Sequence, residues 1–207
     1  MAEILEERPK TTRRSLLTSR VTPGMALVVI GAIAVLRLWV VETAYVEGRS
    51  MMETLQQGDR VLVLKPLEPK RFGIVVLVDP QEGGIDIKRV VGMPGEVVSM
   101  VPHLVGEGER QVPVGSDVYI NAKPLEEPYA SSVLPKVMAP RKVPEGKYFV
   151  MGDNRDDSVD SRSYGPIDGK SVRGVAVAVV YPFGRARVIA GKEAVRPASG
   201  EVRGKGE

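Results

Sequence analysis

One serine, one lysine and one run of acids and arginines hold the side chains here that could do covalent chemistry. Ser50 lies in Gly48-Arg49-Ser50-Met51-Met52. A serine hydroxyl attacks a carbonyl only when a base takes its proton and a donor meets the developing oxyanion. Gly48 allows close backbone approach, and Met51 and Met52 are apolar enough to face lipid or an apolar substrate. The stretch is half of a hydrolase nucleophile elbow, without the second glycine or a following helix pattern. Taken alone, Ser50 reads as an ordinary loop serine.

Two residues compete for the base. His103, the single histidine, sits in a Pro- and Gly-rich region and reads as a surface residue. Lys88 lies in the alternating run Ile85–Val91. A lysine is charged at neutral pH and becomes a base only when a dry environment favours the neutral amine. The opposing reading places Lys88 on the wet side of a half-buried strand, with Asp86 on the same face. From the strand alone, that reading is the stronger.

The third stretch is Gly152–Arg162, in which Asp153, Arg155, Asp156, Asp157, Asp160 and Arg162 follow the apolar run Tyr148–Met151. Short acids bond turn backbone, and alternating acids and arginines neutralise one another. A polar surface loop is the plain interpretation. A calcium loop fits poorly, because the Asp-x-Asp-x-Asp-Gly spacing with a distal Glu is missing.

The elements that must hold these residues are legible in outline. The chain has 207 residues, 43% apolar and 27% charged, as in a globular protein. A net charge of +3 gives no indication of a nucleic-acid partner. With no cysteine and one histidine, disulfides, thiolate or His-rich metal sites and a cysteine nucleophile are excluded. No cofactor is indicated. Residues 1–20 read as a cytoplasmic tail, 21–42 as a membrane anchor and 43–190 as an extracytoplasmic catalytic domain. A looser inserted subdomain occupies about 101–145, and 191–207 are a flexible tail.

A helix from Pro23 to Val41 would span about 28 Å, near the thickness of a bilayer core. Its only charge, Arg37, can snorkel, and Trp39 suits the interface. Arg8, Lys10, Arg13, Arg14 and Arg20 precede it, so the N-terminus is expected inside and the catalytic domain outside. A cleavable signal peptide has a shorter apolar core, and Glu42-Thr43-Ala44 is a poor cleavage site. Beyond the anchor, Arg60–Leu64, Ile74–Val78, Ile85–Val91, Val118–Ile120, Tyr148–Met151 and Val175–Tyr181 read as strands between turn signals.

Taken in order, Gly48–Leu55, Ile87–Glu96 and Gly152–Arg162 resemble the signature boxes of bacterial type I signal peptidases. Val118–Tyr129 is similar to that family's intervening region, and the resemblance covers about residues 25–190. It implies a mainly β, antiparallel catalytic domain of the signal-peptidase/LexA-like type behind one transmembrane helix. The implied activity is that of a Ser/Lys endopeptidase that removes signal peptides from exported preproteins by cutting after small residues. Ser50 would be the nucleophile, Lys88 the general base, and Ser158 the residue that orients the lysine. Asp153, Asp160, Arg162 and Arg89 would be structural supports. The implied partners are signal peptides and the lipid bilayer, with the export machinery as a candidate and no nucleic acid.

The sequence departs from the family pattern at two positions. Gly48 stands where some members carry a serine that helps bind the oxyanion, leaving that task to the Ser50 N–H and water. Glu53 stands where the pattern has proline. Because a buried unpaired carboxylate is costly, Glu53 is expected to face solvent, and Glu53→Pro to change little. The alternatives are an inert membrane-anchored homologue that binds signal peptides or a partner, motivated by Glu53, and a self-cleaving repressor-type Ser/Lys protease. The apolar segment and the lack of a DNA-binding module argue against the latter.

Overall fold

A computed structural model describes residues 22–35, 39–106 and 110–189. The chain forms helix α1 (Pro23–Val35), then strands β1 (Val41–Tyr45), β2 (Arg60–Leu64), β3 (Ile74–Val78) and β4 (Ile85–Gly92). Next come β5 (Val97–Val105), β6 (Val112–Ile120), β7 (Lys123–Pro124), β8 (Met138–Lys142) and β9 (Lys147–Met151). A short helix α2 (Ser161–Tyr164) precedes β10 (Ile167–Asp168), β11 (Val172–Tyr181) and β12 (Arg187–Val188).

Eight strands make one sheet in the order β1-β2-β11-β3-β4-β9-β10, with β12 paired to β11. The other four make a second sheet, β7-β6-β5-β8. Every strand pairing is antiparallel. The short β-branched runs explain this architecture. Ile74–Leu77 is buried at every position, as a strand covered on both faces requires, whereas Arg60–Leu64 alternates. Met93-Pro94-Gly95-Glu96 closes the turn after β4, with Gly95 at φ 83° and the Glu96 N–H bonded to the Met93 carbonyl.

The stretch read as loose, 101–145, contributes most of the second sheet. A core of Val91, Val98, Met100, Val118, Val143, Phe149 and Met151 packs that sheet against the first. Another core joins β1, β2, β3 and β11 to Met51 and Leu55, from the loop that carries Ser50. Burying those two side chains contributes about 1.5–3 kcal/mol each, and it fixes the loop on the sheet.

The apolar N-terminal run does not continue as a helix to Val41, which corrects the expected span. Helix α1 has 13 residues, and Val41 already lies in β1, opposite Leu64 of β2. At 1.5 Å per residue the 13 described residues of α1 span about 20 Å. Pairing five residues of β1 with β2 supplies cross-strand hydrogen bonds that a longer helix would forgo. Among the described residues no helix is long and apolar enough to cross a membrane. Arg37 and both terminal tails lie outside the described residues.

Candidate active site

Ser50 sits at the start of a tight turn between β1 and β2. The Thr54 and Leu55 N–H groups donate to the Met51 carbonyl at 3.1 and 2.7 Å, and Met52 N–H to that of Arg49 at 3.0 Å. Met51 and Leu55, 2% and 0% exposed, point into the core and hold the turn down. Glu53 occupies the third position of the Met51–Thr54 turn, at φ 80°. That is the left-handed value a type II turn demands, and it normally falls to glycine or asparagine. The side chain is exposed, as expected. The expectation that proline would be tolerated there is overturned, since its ring locks φ near −65°.

Lys88 comes from β4, opposite Val75 of β3, and its side chain is only 3% exposed. Its Nζ lies 3.2 Å from Ser50 Oγ and 2.6 Å from both carboxylate oxygens of Asp86. The strand pleat puts Asp86 and Lys88 on one face, and that face is dry around the amine. His103 lies in the second sheet, half exposed, with its Nδ1 2.8 Å from Asp117.

The charged run Gly152–Arg162 is not a solvated loop. Asp153, Arg155 and Asp160 are at most 1% exposed. Asn154 donates its backbone N–H to the Ser50 carbonyl at 2.9 Å and its side-chain amide to the Arg49 carbonyl at 3.2 Å. Arg89 grips Asp153 with two bonds of 2.7 and 2.6 Å, donates to the Phe72 carbonyl and Thr54, and stacks on Tyr129 at 4.0 Å. Arg155 makes a matching fork on Glu127, with both bonds at 2.7 Å. Tyr129 in turn donates to Glu127 at 2.7 Å. These planar, bidentate pairs compensate the charges they bury. They also tie the second sheet to the Ser50 turn.

Asp160 is the hub of the run. It caps α2, accepts from the Gly152 N–H and from Ser158 Oγ (2.8 Å), and is forked by Arg162 at 2.8 and 2.7 Å. Burial alone would push its carboxyl up. The Arg162 bonds and charge, with the Gly152 and Ser158 donors, outweigh burial and hold it below the usual carboxylate range. Ser158 therefore bonds Asp160, while the amine of Lys88 is bonded to Asp86.

The sequence alone gives Asp86, Glu127 and Tyr129 no part in the site. The signal for Asp86 was its place two residues before the lysine on the same face. Glu127 and Tyr129 close the stretch similar to the intervening region, and nothing local marks Arg155 as the partner of Glu127.

In front of Ser50 runs a groove of about 310 Å³, lined by residues that include Tyr45, Val46, Met51, Asp86 and Ile87. Strand β9 pairs β4 only from Arg89 onward, so the Ile85–Lys88 edge opposite β3 carries no strand among the described residues. The groove thus offers a free strand edge beside a serine hydroxyl and a buried amine. An extended chain laid on that edge would present a carbonyl to the hydroxyl.

The sequence profile of "Signal peptidase, peptidase S26" matches residues 20–181. Signal peptidase I of Bacillus licheniformis is 36% identical over 88% of this chain and 98% of its own. Signal peptidase I T of Bacillus subtilis is 36% identical over 79% and 86%. A solved signal peptidase I from Enterococcus faecalis is 30% identical over 53% of this chain and 97% of its own, with a TM-score of 0.38. The chain belongs to the signal peptidase family, peptidase S26.

Proposed function

We propose that this serine endopeptidase cleaves preproteins with Ser50 as nucleophile and Lys88 as general base. The observation that carries the reading is the 3.2 Å approach of Ser50 Oγ to the Nζ of a lysine only 3% exposed. A nucleophile and a desolvated base within hydrogen-bond reach meet the geometric requirement for acyl transfer. The substrates are signal peptides of exported proteins, laid along the β4 edge and cut after small residues. Asp153, Asp160, Arg162 and Arg89 hold the Ser50 turn. The test is cleavage of a preprotein by the purified full-length chain in detergent, where Ser50→Ala should leave no cleavage above background. A Ser50→Ala chain that still cuts would overturn the assignment.

The protein works at the cell membrane, with α1 as part of a single-pass anchor and the β domain on the outer side. Supporting this, α1 is wholly apolar and buries none of its residues against the β body. Basic residues precede it, and Glu42 and Glu47 follow. Protease added to intact spheroplasts should digest the domain after Val41. Its full protection would sink this topology.

A further inference from the structure

We propose that the side chain of Asn154 aims the Ser50 N–H at the developing oxyanion, which makes it a positioning residue for the reaction. This rests on the reading of Ser50 as nucleophile above. Asn154 donates its side-chain amide to the Arg49 carbonyl at 3.2 Å and its backbone N–H to the Ser50 carbonyl at 2.9 Å. One residue of the charged run therefore holds the peptide units on both sides of the nucleophile.

A trans peptide is planar, and its C=O and N–H point in opposite directions. Fixing the Arg49 carbonyl thus fixes the direction of the Ser50 N–H, which belongs to the same peptide unit. That carbonyl has two lone pairs. It accepts from the Met52 N–H at 3.0 Å within the turn and from the Asn154 amide across it. The Ser50 N–H itself donates to no protein group among the described residues, so it is left for a substrate oxygen. Gly48 carries no hydroxyl to share the task.

Asn154 is itself held. Its neighbours bridge Ser131 in parallel: the Ser131 N–H donates to the Asp153 carbonyl, and the Arg155 N–H to the Ser131 carbonyl, each at 2.9 Å. Arg89 grips Asp153, and Glu127 grips Arg155. The amide reaches the turn from this fixed base, 105 residues away in sequence. Donors aimed in advance act most strongly where charge develops, because nothing has to reorganise at the moment of reaction. A residue that merely held the turn would be felt by every ligand alike. One that aims a donor is felt only by ligands that place charge on the carbonyl oxygen.

The experiment compares a signal-peptide aldehyde with the corresponding alcohol as inhibitors of the full-length chain in detergent, beside steady-state cleavage of one preprotein. When the aldehyde binds, Ser50 Oγ bonds to its carbonyl carbon, the π pair moves onto oxygen, and the hydroxyl proton passes to the base. The alcohol has no carbonyl and cannot form that adduct. The variants are Asn154→Ala and the isosteric Asn154→Asp, whose carboxylate has no amide proton to donate. In each, kcat should fall about tenfold with KM changed less than about threefold, since losing an oxyanion donor costs about 10²–10³ and misaiming one costs less. Affinity for the aldehyde should fall by about the same factor, and for the alcohol by less than about threefold. A folded variant with wild-type kcat overturns the proposal, as does equal weakening of aldehyde and alcohol. Asn154→Asp decides the matter if Asn154→Ala does not fold. A Ser50→Ala chain that still cuts sinks the nucleophile and this inference together, so the two failures are distinguishable.

Discussion

Gly152 lies against the Ser50 carbonyl: a methyl group in place of its hydrogen would sit 2.6 Å from that oxygen and 2.6 Å from Ser158 Cβ. The charged run can therefore dock on the nucleophile turn only if its first residue has no side chain. Gly152→Ala must push the two apart, straining the Asn154–Ser50 bond of 2.9 Å. Overpacking of this kind costs about 1–3 kcal/mol. We expect a lowered thermal midpoint and a loss of kcat of at least about tenfold, since small misplacements of a nucleophile are expensive. Wild-type kcat in Gly152→Ala would show that the turn does not depend on this contact.

The dyad makes a second prediction. Ser50→Ala and Lys88→Ala should each reduce cleavage to near background, and the double variant should be no worse, because groups acting as a unit are not additive. His103→Ala should cleave normally, its ring being half exposed against Asp117 in the second sheet. Inactive, folded His103→Ala together with active Lys88→Ala would reverse the assignment of the base.

Asp160 links stability to acid. Its carboxyl is held below the unfolded value, about 3.9, so the folded state gains stability from it above that pH. The gain is lost as pH falls through the folded-state value. Urea midpoints of wild type and Asp160→Asn should therefore differ by a constant amount between pH 7 and 5. The difference should narrow towards pH 3. A difference that persists undiminished at pH 3 would mean that Arg162, Gly152 and Ser158 do not set the carboxyl.

Glu53, at φ 80°, makes opposite predictions for glycine and proline. Glu53→Gly relieves a left-handed conformation that costs a side chain about 1–2 kcal/mol, so it should raise the unfolding midpoint. Glu53→Pro cannot adopt that φ and should lower both stability and kcat. Calorimetry on the two variants checks this directly, and a stabilised Glu53→Pro would contradict the turn.

The β character, the positions of the main strands and the three stretches that converge are legible in the residues alone. These are local properties: β-branched runs, turn residues and box spacing are written in neighbouring positions. The serine and the lysine are legible too, through the resemblance. What surrounds them comes from contacts between remote parts of the chain. Whether Lys88 faces water or a dry site depends on the Ser50 turn lying against it, 38 residues away in sequence. That the amine meets Asp86 while Ser158 turns to Asp160 depends on how the run 152–162 folds around Arg162. The φ of Glu53 comes from a turn pinned by the burial of Met51 and Leu55, and it reverses what residue type alone suggests. That Val41 belongs to a strand is decided likewise by β1 pairing with β2, a competition between local helix and remote strand that the apolar run cannot show.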